Sequence, residues 1–304
     1  LNPQSAITRN NLGVLYQELE KFDPAIQCFK QACQLNPEME EAHINLGSLY
    51  RDKGELPKAV HHLKTAVRLN PQSPGAHYNL SLAYLTQGQY KLGFEEYEWR
   101  FHLASLNLHT LRLRRSILWD GSPLNGKTLL VRDEQGIGDT IQFIRYLHLV
   151  KKMGGHIILE TEKKLSGLLK PYTDIDRVIT RKPHGFPDVD FDFYIPLMSM
   201  PRVLDISRPD IQNTTPYLHP DPDLVKKWAR EVSFSKGLSV GISWQGNPAN
   251  VADNRRSVSL DHFFPMCRMN SIRVFSLQKY HGQEQLDCLP PDVRIVNLGR
   301  KLDQ

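Results

Sequence analysis

An asparagine recurs every 34 residues in the first third of the chain, at Asn11, Asn45 and Asn79. Several apolar and small positions keep the same spacing, namely Leu12/Leu46/Leu80, Tyr16/Tyr50/Tyr84 and Ala25/Ala59/Gly93. A fixed period of this length predicts a stack of similar helix pairs, in which each pair buries its apolar face against its neighbours. That packing explains the recurring leucine, tyrosine and alanine, but it gives no reason for a recurring polar amide.

The period and the Asn-Pro pairs at Asn36-Pro37 and Asn70-Pro71 are typical of the tetratricopeptide repeat, which has two antiparallel helices per unit. We predict a tetratricopeptide helical superhelix over residues 1–100, with units at 6–39, 40–73 and 74–107. The third unit departs from the pattern between Gly93 and Arg100. Because the last repeat of an array needs an atypical end, we expect this segment to be a capping helix that docks on the following domain.

The recurring asparagines predict a binding surface. Each side-chain amide offers both a donor and an acceptor, which is the pair of groups needed to hold a peptide backbone. One amide at the same position of each first helix forms a ladder along one face of the superhelix. We therefore predict that Asn11, Asn45 and Asn79 bind a protein or peptide partner.

Composition excludes other classes of partner. The 38 basic residues are nearly balanced by 33 acidic ones, and the net charge of +5 is spread along the chain, so nucleic acid is not an expected partner. No apolar run approaches the roughly 20 residues that a membrane span needs. The four cysteines, Cys28, Cys33, Cys267 and Cys288, have neither zinc nor redox spacing, which favours a reducing cytoplasm.

The histidines suggest no metal site. There are 12 of them, without H-E-x-x-H or any other metal-binding spacing, and we expect the protein to bind no metal. His43 and His77 occupy equivalent repeat positions and are predicted to be packing residues. The pair His61-His62 is predicted to lie on an exposed helix face.

After a connector at residues 101–126 the pattern changes to strands that alternate with helices, including a helix over about residues 140–152. Such alternation predicts parallel sheets with crossover helices. We assign a first α/β lobe to residues 127–222 and the start of a second to residues 223–304. The second lobe is shorter than the roughly 100–150 residues of a usual domain, so we expect it to be incomplete.

A glycine loop, Glu134-Gln135-Gly136-Ile137-Gly138-Asp139, lies between the first strand and the next helix. Ligands of open α/β sheets bind beyond the carboxyl ends of the strands, so this loop is a candidate site. It matches neither the dinucleotide nor the Walker spacing. Asp139 is either the helix N-cap, with Gln142 completing a capping box, or a general base. Glu134 is a weaker candidate base, or else a solvated loop residue.

A second loop follows a later strand at Gly241–Pro248 and continues to Asp253–Ser257. Arginine beside a glycine-containing loop suits a diphosphate, so Arg255 and Arg256 are candidate anion ligands, although an exposed loop pair explains them equally well. The remaining candidate donor-binding residues are Gln135, Gly136, Gly138, Trp244, Gly246, Asn247 and Lys279.

These segments resemble a known family. Trp119–Tyr146, which contains E-Q-G-I-G-D, and Gly241–Ser257, which contains G-I-S-W-Q-G-N-P, look like bacterial tetratricopeptide proteins with a glycosyltransferase domain. That domain is similar to the heptosyltransferases, which have the two-lobed GT-B fold, and the array is similar to that of O-linked N-acetylglucosamine transferase. The resemblance implies that Asp139 is the base, that Arg255 or Arg256 contacts the donor diphosphate, and that no metal or other cofactor is needed.

The resemblance also has a gap. The family continues with a His-Leu-Ala-Gly-Ala-Leu-Gly block that completes the nucleotide-sugar pocket, and this block does not occur before Gln304. The expected fold is therefore α plus α/β: a tetratricopeptide superhelix followed by a GT-B-like pair of doubly wound lobes, with the second truncated. The chain is either a fragment or a protein that has lost catalysis.

The leading hypothesis is a glycosyltransferase that moves a sugar from a nucleotide diphosphate sugar to a hydroxyl, with a protein held by the array as the expected acceptor. The alternative is a non-catalytic adaptor, in which the repeats bind a peptide and the sugar-nucleotide fold is a relic. A lipopolysaccharide heptosyltransferase is disfavoured, because a sugar-lipid acceptor gives the asparagine ladder nothing to bind.

Overall fold

The structure is a computed structural model that describes residues 5–106, 117–169, 171–182, 187–206, 216–233, 237–249, 253 and 256–302. The chain divides into two compact units, Leu1–His219 and Pro220–Gln304. The first unit contains the helical repeats and a four-stranded sheet, and the second contains a three-stranded sheet.

Three helix pairs form the repeat array: α1 (Ala6–Glu18) with α2 (Phe22–Leu35), α3 (Glu40–Asp52) with α4 (Leu56–Leu69), and α5 (Pro74–Thr86) with α6 (Tyr90–Tyr97). The glycine of each Leu-Gly pair lets the two helices of a repeat approach closely. A Cβ added at Gly13 would lie 2.5 Å from the ring of Phe29, and one added at Gly47 would lie 2.6 Å from Leu63 Cγ. The predicted tetratricopeptide array is confirmed.

The third repeat ends in a cap. We use this term for residues 90–102, which comprise α6 and the 3-10 helix Glu98–His102. Phe94 and Tyr97 belong to the same buried apolar cluster as Leu129 and Val131 of the following α/β region. The rings of Phe94 and Phe143 meet edge to face, with centroids 6.2 Å apart. The cap thus packs its aromatic side chains against the following α/β region.

The α/β region of the first unit is built on a parallel sheet with strand order β3-β2-β1-β4. Its strands are β1 (Thr128–Arg132), β2 (His156–Thr161), β3 (Arg177–Thr180) and β4 (Phe193–Pro196). Helices α7 (Ile137–Phe143), α8 (Leu147–Lys151), α9 (Ser166–Leu169) and α10 (Met200–Val203) connect or flank them. Leu129 and Val131 join one apolar cluster and Leu130 another, so β1 is buried on both faces. In the predicted connector, Trp119 and Leu124 are buried in this core.

One predicted helix is broken. The segment expected to be continuous over residues 140–152 is α7, a 3-10 helix at Ile144–Tyr146, and α8. Four backbone carbonyls in this segment accept hydrogen bonds from side chains. Those of Ile141 and Ile144 accept from the hydroxyls of Tyr217 and Tyr172. Those of Gln142 and Arg145 accept from Arg145 Nε and His148 Nδ1. Because these side chains bond the carbonyls, they compete with the backbone hydrogen bonds of an α-helix. The backbone takes the tighter 3-10 form at Ile144–Tyr146.

The second unit has a parallel sheet of strand order β5-β6-β7, formed by β5 (Leu238–Ile242), β6 (Ile272–Ser276) and β7 (Ile295–Asn297). Its helices are α11 (Pro222–Val232) and α12 (Phe264–Cys267), with 3-10 helices at Leu260–Phe263, Gln283–Cys288 and Gly299–Lys301. Its buried core consists of Ile242, Trp244, Leu260 and Val274. Across the described residues of both units, we find no helix with the length and apolar character that crossing a bilayer requires.

Candidate functional site

The first helices of the repeats, α1, α3 and α5, carry the ladder of asparagines. Asn45 lies on α3, and its Nδ2 donates to Oδ1 of Asn10 on α1 at 3.0 Å. Asn10 is buried, whereas its neighbour Asn11 is exposed. The amide that pairs across the helices in the first repeat is therefore Asn10, one residue before the predicted ladder position. The adjacent Asn-Asn pair in the sequence was the signal for it.

Asn79 forms the second contact between first helices. Its Oδ1 accepts from Nη1 of Arg51 on α3 at 3.3 Å, and its Nδ2 donates to the carbonyl of Gly75 at 2.9 Å. The Arg51 guanidinium also pairs with Asp52 Oδ1 at 3.0 Å, so its charge is largely balanced. An amide has two N–H groups and two acceptor lone pairs, which leaves Asn79 one of each. Asn45 and Asn79 are both half-buried.

The glycine loop, residues 134–139, follows β1 and leads into α7. Gly136 is the N-cap of α7, and Asp139 is the third residue of the helix. Oδ2 of Asp139 accepts from the Gly136 N–H at 3.1 Å, which satisfies a backbone donor at the helix start. The prediction that Asp139 is the N-cap was wrong, because the helix begins at Ile137, two residues earlier.

Glu134 is held by the cap of the repeat array. Its carboxylate accepts from Arg100 through Nε at 2.9 Å and Nη2 at 2.9 Å, and both side chains are fully buried. The Met198 N–H also donates to Glu134 Oε1 at 2.9 Å. The interpretation of Glu134 as a solvated loop residue was wrong: a carboxylate can be buried here because a bidentate guanidinium balances its charge. The same pairing makes Glu134 a poorer candidate for a base than the half-exposed Asp139.

Arg100 is the centre of a buried charged network. Besides Glu134, it donates through Nη1 to Glu98 Oε1 at 2.8 Å and through Nη2 to Ser199 Oγ at 2.8 Å. Burial tends to lower the pKa of the Arg100 guanidinium, but the charges of Glu134 and Glu98 outweigh it and raise that pKa. Burial opposes ionisation of Glu98 too, but the Arg100 charge and its hydrogen bonds hold the Glu98 pKa below its usual value. Arg100 and Glu98 are therefore both charged near neutral pH.

Gln135 is also bound by the cap, since its Nε2 donates to the Tyr97 hydroxyl at 2.8 Å. Burial raises the pKa of that hydroxyl, which stays protonated. Gly136 and Gly138 are exposed, but the carboxylate of Asp139 already lies at the start of α7. A phosphate placed there would meet a negative charge as well as the helix N–H groups. This arrangement is better suited to a proton acceptor at Asp139 than to a diphosphate on Gln135, Gly136 and Gly138.

The second unit has one organising amide, Gln278, whose side chain is almost completely buried. Its Oε1 accepts from the backbone N–H of Trp244 at 2.9 Å and of Gln245 at 3.1 Å, and from Ser243 Oγ at 3.0 Å. Its Nε2 donates to the carbonyls of Gln245 at 2.7 Å and His281 at 2.6 Å. Sequence reasoning missed Gln278, although it directly precedes the candidate donor-binding residue Lys279.

Trp244 lies in the apolar core of the second unit and is 2% exposed, so its ring is a packing residue. Its indole Nε1 is buried and has no hydrogen-bond partner among the described residues. The nearest atoms that a Cβ on Gly282 would meet include this Nε1, at 3.1 Å. The glycine at position 282, which has φ of +87°, therefore keeps the space beside the indole open.

The candidate anion ligands of the second unit are only partly described. Arg255 lies outside the described residues. Arg256 Nε lies 3.3 Å from Asp253 Oδ1, and its side chain is 53% exposed. Gly246 donates its N–H to Ser257 Oγ at 2.9 Å, and a Cβ there would lie 2.3 Å from Asp253 Oδ1. The carboxylate of Asp253 therefore partly balances the positive charge of Arg256.

The two other donor-site candidates of this unit are at its surface. Asn247 is exposed, and its Oδ1 accepts from the backbone N–H of Ala249 at 3.0 Å, which is a local turn bond. Lys279 is half-buried, and its Nζ lies 5.2 Å from the centre of the Tyr280 ring. Binding of a diphosphate by Trp244, Gly246, Asn247, Arg255, Arg256 and Lys279 stays a prediction.

The four cysteines are free thiols. Among the described residues, no group of three or more His, Cys, Asp or Glu side chains could hold a metal ion. His43 and His77 are buried, in agreement with packing roles, and His61 is exposed. The prediction that His62 lies on the exposed face was wrong, because its ring faces His43 across the repeat, with the two Nδ1 atoms 3.1 Å apart.

With this geometry in place, comparisons with known proteins identify the repeat class. The sequence model described as Tetratricopeptide repeat matches residues 6–39, and a second, described as TPR repeat, matches residues 47–88. These residues are tetratricopeptide repeats. Among curated proteins, the chain is similar to Protein FlbA of Caulobacter vibrioides, with 25% identity over 216 residues. The match covers 66% of this chain but only 36% of the length of FlbA.

Solved structures similar to this chain each match about a third of its length. MamA shares 26% identity, covering 36% of this chain and 65% of MamA, with a TM-score of 0.33. The first TPR of Spaghetti (RPAP3), solved with an HSP90 peptide, shares 23% identity, covering 38% of this chain and 92% of that chain, with a TM-score of 0.33. YrrB, described as a TPR protein with an unusual peptide-binding site, shares 20% identity, covering 35% of this chain and 55% of that chain, with a TM-score of 0.33.

Proposed function

We propose that the repeat array binds an extended segment of another polypeptide along α1, α3 and α5. The observation that carries this proposal is the row of side-chain amides on these three helices. Asn45 and Asn79 each hold one neighbour and keep hydrogen-bonding groups to spare, and Asn11 is exposed. Amides held in place by their neighbours lose little freedom when they bind a second backbone, so the interaction is pre-organised.

The surface also indicates the chemistry of the partner. The guanidinium of Arg51 is paired with Asp52, so the ladder presents amides rather than an uncompensated positive charge. A partner recognised by such a surface is held through its backbone amides more than through acidic side chains. Ile7, which is 64% exposed one turn before Asn11 on α1, adds an apolar contact.

Selection from a phage-displayed random peptide library tests this function. Peptides enriched on the wild-type protein are synthesised, and their dissociation constants are measured by fluorescence anisotropy. We expect Asn79→Ala to weaken binding about five- to thirtyfold, which corresponds to about 1–2 kcal/mol for a lost hydrogen-bonding group. Gln27→Ala, which removes an exposed amide from α2, is the matched control and should leave the affinity unchanged. Equal affinities of the Asn79→Ala variant and the wild type would contradict the proposal.

A second candidate function, transfer of a sugar from a nucleotide diphosphate sugar to a hydroxyl of the bound protein, is favoured by Asp139. This carboxylate is half-exposed and stands just beyond the carboxyl end of β1, where ligands of open α/β sheets bind. In this proposal Asp139 accepts the proton of the acceptor hydroxyl while its oxygen attacks the anomeric carbon. The resemblance to GT-B enzymes implies that Arg255 or Arg256 balances the charge of the departing diphosphate without a metal ion.

Asp139→Asn and Asp139→Ala separate this role from capping. Asparagine can still accept from the Gly136 N–H but cannot take a proton, so it should keep stability and lower transfer by about a hundredfold to ten-thousandfold. Alanine should lower both, with about 1 kcal/mol of stability lost. Uridine, guanosine and adenosine diphosphates and their sugars are first screened by thermal shift, and a radiolabelled sugar then reports transfer to an enriched peptide. Normal transfer by Asp139→Asn would eliminate Asp139 as the base.

The alternative is a non-catalytic adaptor that binds its peptide and no nucleotide sugar. Peptide binding without a thermal shift by any nucleotide in the panel favours this alternative over the enzyme. In either case we propose a cytoplasmic location, because a reducing compartment suits four cysteines that have neither zinc nor redox spacing.

A further inference from the structure

Two consecutive residues of the glycine loop are bound by the cap of the repeat array. Arg100 holds the carboxylate of Glu134 with two hydrogen bonds of 2.9 Å, and the Tyr97 hydroxyl accepts from Gln135 Nε2 at 2.8 Å. We propose that Tyr97 and Arg100 are positioning residues that set the conformation of the glycine loop, so that the repeat array is a structural part of the site that contains Asp139. This inference deepens the transfer function proposed above, and any role of Tyr97 and Arg100 in catalysis rests on that function.

The Arg100 contact fixes the first residue of the loop in one geometry. Both partners are fully buried, and the guanidinium is oriented further by Glu98, by Ser199 and by the Tyr97 carbonyl, at 2.8 Å, 2.8 Å and 3.1 Å. A planar guanidinium with this many partners cannot rotate without leaving a buried charge unpaired, which is costly. The Met198 N–H completes the environment of the Glu134 carboxylate.

The Tyr97 hydrogen bond restrains Gln135, the next residue of the loop towards Asp139. Gln135 lies between the buried Glu134 and the exposed Gly136, whose N–H donates to Asp139 at 3.1 Å. Glycine restrains its own backbone poorly, so the direction in which the chain leaves Gln135 sets where α7 begins. The hydroxyl of Tyr97 therefore acts at the last position before the glycines of the loop.

The cap is itself supported by the helix that carries the ladder. The ring of Tyr97 packs against Tyr78 of α5, with centroids 5.7 Å apart, and Tyr78 directly precedes Asn79. The proposed peptide surface and the glycine loop are thus joined through two aromatic side chains. Both parts lie in the first compact unit.

An ion pair elsewhere between the cap and the α/β region provides a control variant. Lys91 of α6 pairs with Asp205 at 3.1 Å, but both side chains are 68% exposed and neither belongs to the glycine loop. An exposed pair of this kind contributes little stability and orients nothing. Lys91→Ala therefore removes a cap contact without touching Tyr97 or Arg100.

The test is amide proton exchange of the whole ligand-free chain, measured by NMR for the wild type and for Tyr97→Phe, Arg100→Lys and Lys91→Ala. Tyr97→Phe removes one hydroxyl and leaves the ring in place, so the fold should persist. We expect the exchange of Gly136 and Thr140, which are bonded to Asp139 and Gly136 respectively, to rise about fivefold, the effect of losing one hydrogen bond. Exchange in β2 and α3 should stay unchanged.

Arg100→Lys keeps the charge but loses the bidentate geometry, so exchange in the loop should rise further and exceed any general increase. Unchanged loop exchange in Tyr97→Phe, or an equal rise in the loop, β2 and α3, would overturn the positioning role and leave Arg100 and Tyr97 as ordinary packing residues. Lys91→Ala should match the wild type. Because no nucleotide or peptide is present, the outcome does not depend on whether the protein transfers a sugar, and a failure of the transfer function would appear only in the nucleotide screen.

Discussion

Nδ1 of His43 lies 3.1 Å from Nδ1 of His62, one repeat before the place where His77 faces a carboxylate. Adding the 34-residue period to positions 43 and 62 gives 77 and 96, so the two pairs are equivalent. In both repeats Nε2 of the first histidine donates to a proline carbonyl, Pro37 O at 3.2 Å and Pro71 O at 3.0 Å. The second partner differs: it is His62 in one repeat and Glu96 in the next.

The histidine pair makes the second repeat sensitive to acid. Burial, with the charges of His43, His61 and Lys30, lowers the pKa of His62 to about 4. Burial also lowers the pKa of His43, and the nearby His61 and Arg68 act in the same direction. Both values lie below the usual 6.5 of an unfolded chain, so the unfolded state takes up protons first as the pH falls. Stability should therefore decrease as the pH falls from about 6.5 to about 4, by about 1 kcal/mol after allowance for solvent screening of the half-exposed His62 ring.

Urea denaturation at pH 7.5, 6.0 and 5.0 measures this loss. His62→Glu gives the second repeat the same pair as the third, His77 with Glu96, and is the matched variant. A carboxylate favours the protonated form of His43, so this variant should lose less stability in acid than the wild type. If the two proteins follow the same pH profile, the pair does not control acid stability.

The Asn10–Asn45 contact should be measurable as a coupling between two helices. Asn45→Ala leaves the buried Oδ1 of Asn10 without its donor, and we expect it to lower the free energy of unfolding by about 1–2 kcal/mol. Asn10→Ala should cost a similar amount, and the double variant less than the sum of the two. A double-mutant cycle by urea denaturation should give a coupling of about 0.5–1.5 kcal/mol. Strict additivity would show that the contact contributes nothing.

Gln278 should be the most sensitive polar residue of the second unit. Gln278→Glu has almost the same shape, but an ionised carboxylate cannot donate to the carbonyls of Gln245 and His281. Buried acceptors that lose their donors destabilise a protein by about 1–3 kcal/mol each, so we expect a loss of about 2–4 kcal/mol. Thermal unfolding measures the loss. Gln285→Glu, at a half-buried amide in the same unit, is the control and should cost less. Equal losses would show that Gln278 does not organise the loop.

The sequence predicted the helical array well because its signal is periodic and local. Leucine, alanine and glycine at fixed spacing require only that neighbouring helices pack, and three repeats supply the same evidence three times. The parallel sheets were predicted from the alternation of short apolar runs with helices. What failed was at the ends of elements, as in the helix start at Ile137 and the 3-10 segment Ile144–Tyr146. At the break, the carbonyls of Ile141 and Ile144 accept from Tyr217 and Tyr172, which are distant in sequence and could not be paired with this segment in advance.

The candidate site shows the same division. Asp139 could be singled out from its place after a strand, but the partner of Glu134 could not, because Arg100 stands 34 residues earlier in a different structural region. No motif or spacing in the sequence indicates that Arg100 and Glu134 form a pair. Only the docking of the cap on the α/β region brings them together. Likewise, Gln278 is an ordinary amide in the sequence, and its importance comes from groups of four residues that the fold brings to it, namely Ser243, Trp244, Gln245 and His281.

Gly93 provides a test of helix packing in the third repeat. The equivalent residues of the first two repeats, Ala25 and Ala59, are fully buried, and alanine would be the expected residue of the repeat at this position. A Cβ added at Gly93 would, however, lie 2.6 Å from Leu85 Cδ2 and 3.1 Å from the Leu85 backbone nitrogen. The side chain of Leu85 can move, but its backbone is part of α5.

We therefore expect Gly93→Ala to destabilise the protein by about 1 kcal/mol, because overpacking against α5 outweighs the roughly 1 kcal/mol that alanine gains in helix propensity. Gly75→Ala is the matched control: it lies in α5 of the same repeat, and a Cβ there has nothing within 4 Å. That variant should stabilise the protein by about 0.5 kcal/mol. Thermal unfolding of both variants measures these changes in stability. A stabilised Gly93→Ala variant would contradict the prediction and would mean that α5 and α6 can separate to the spacing of the first two repeats.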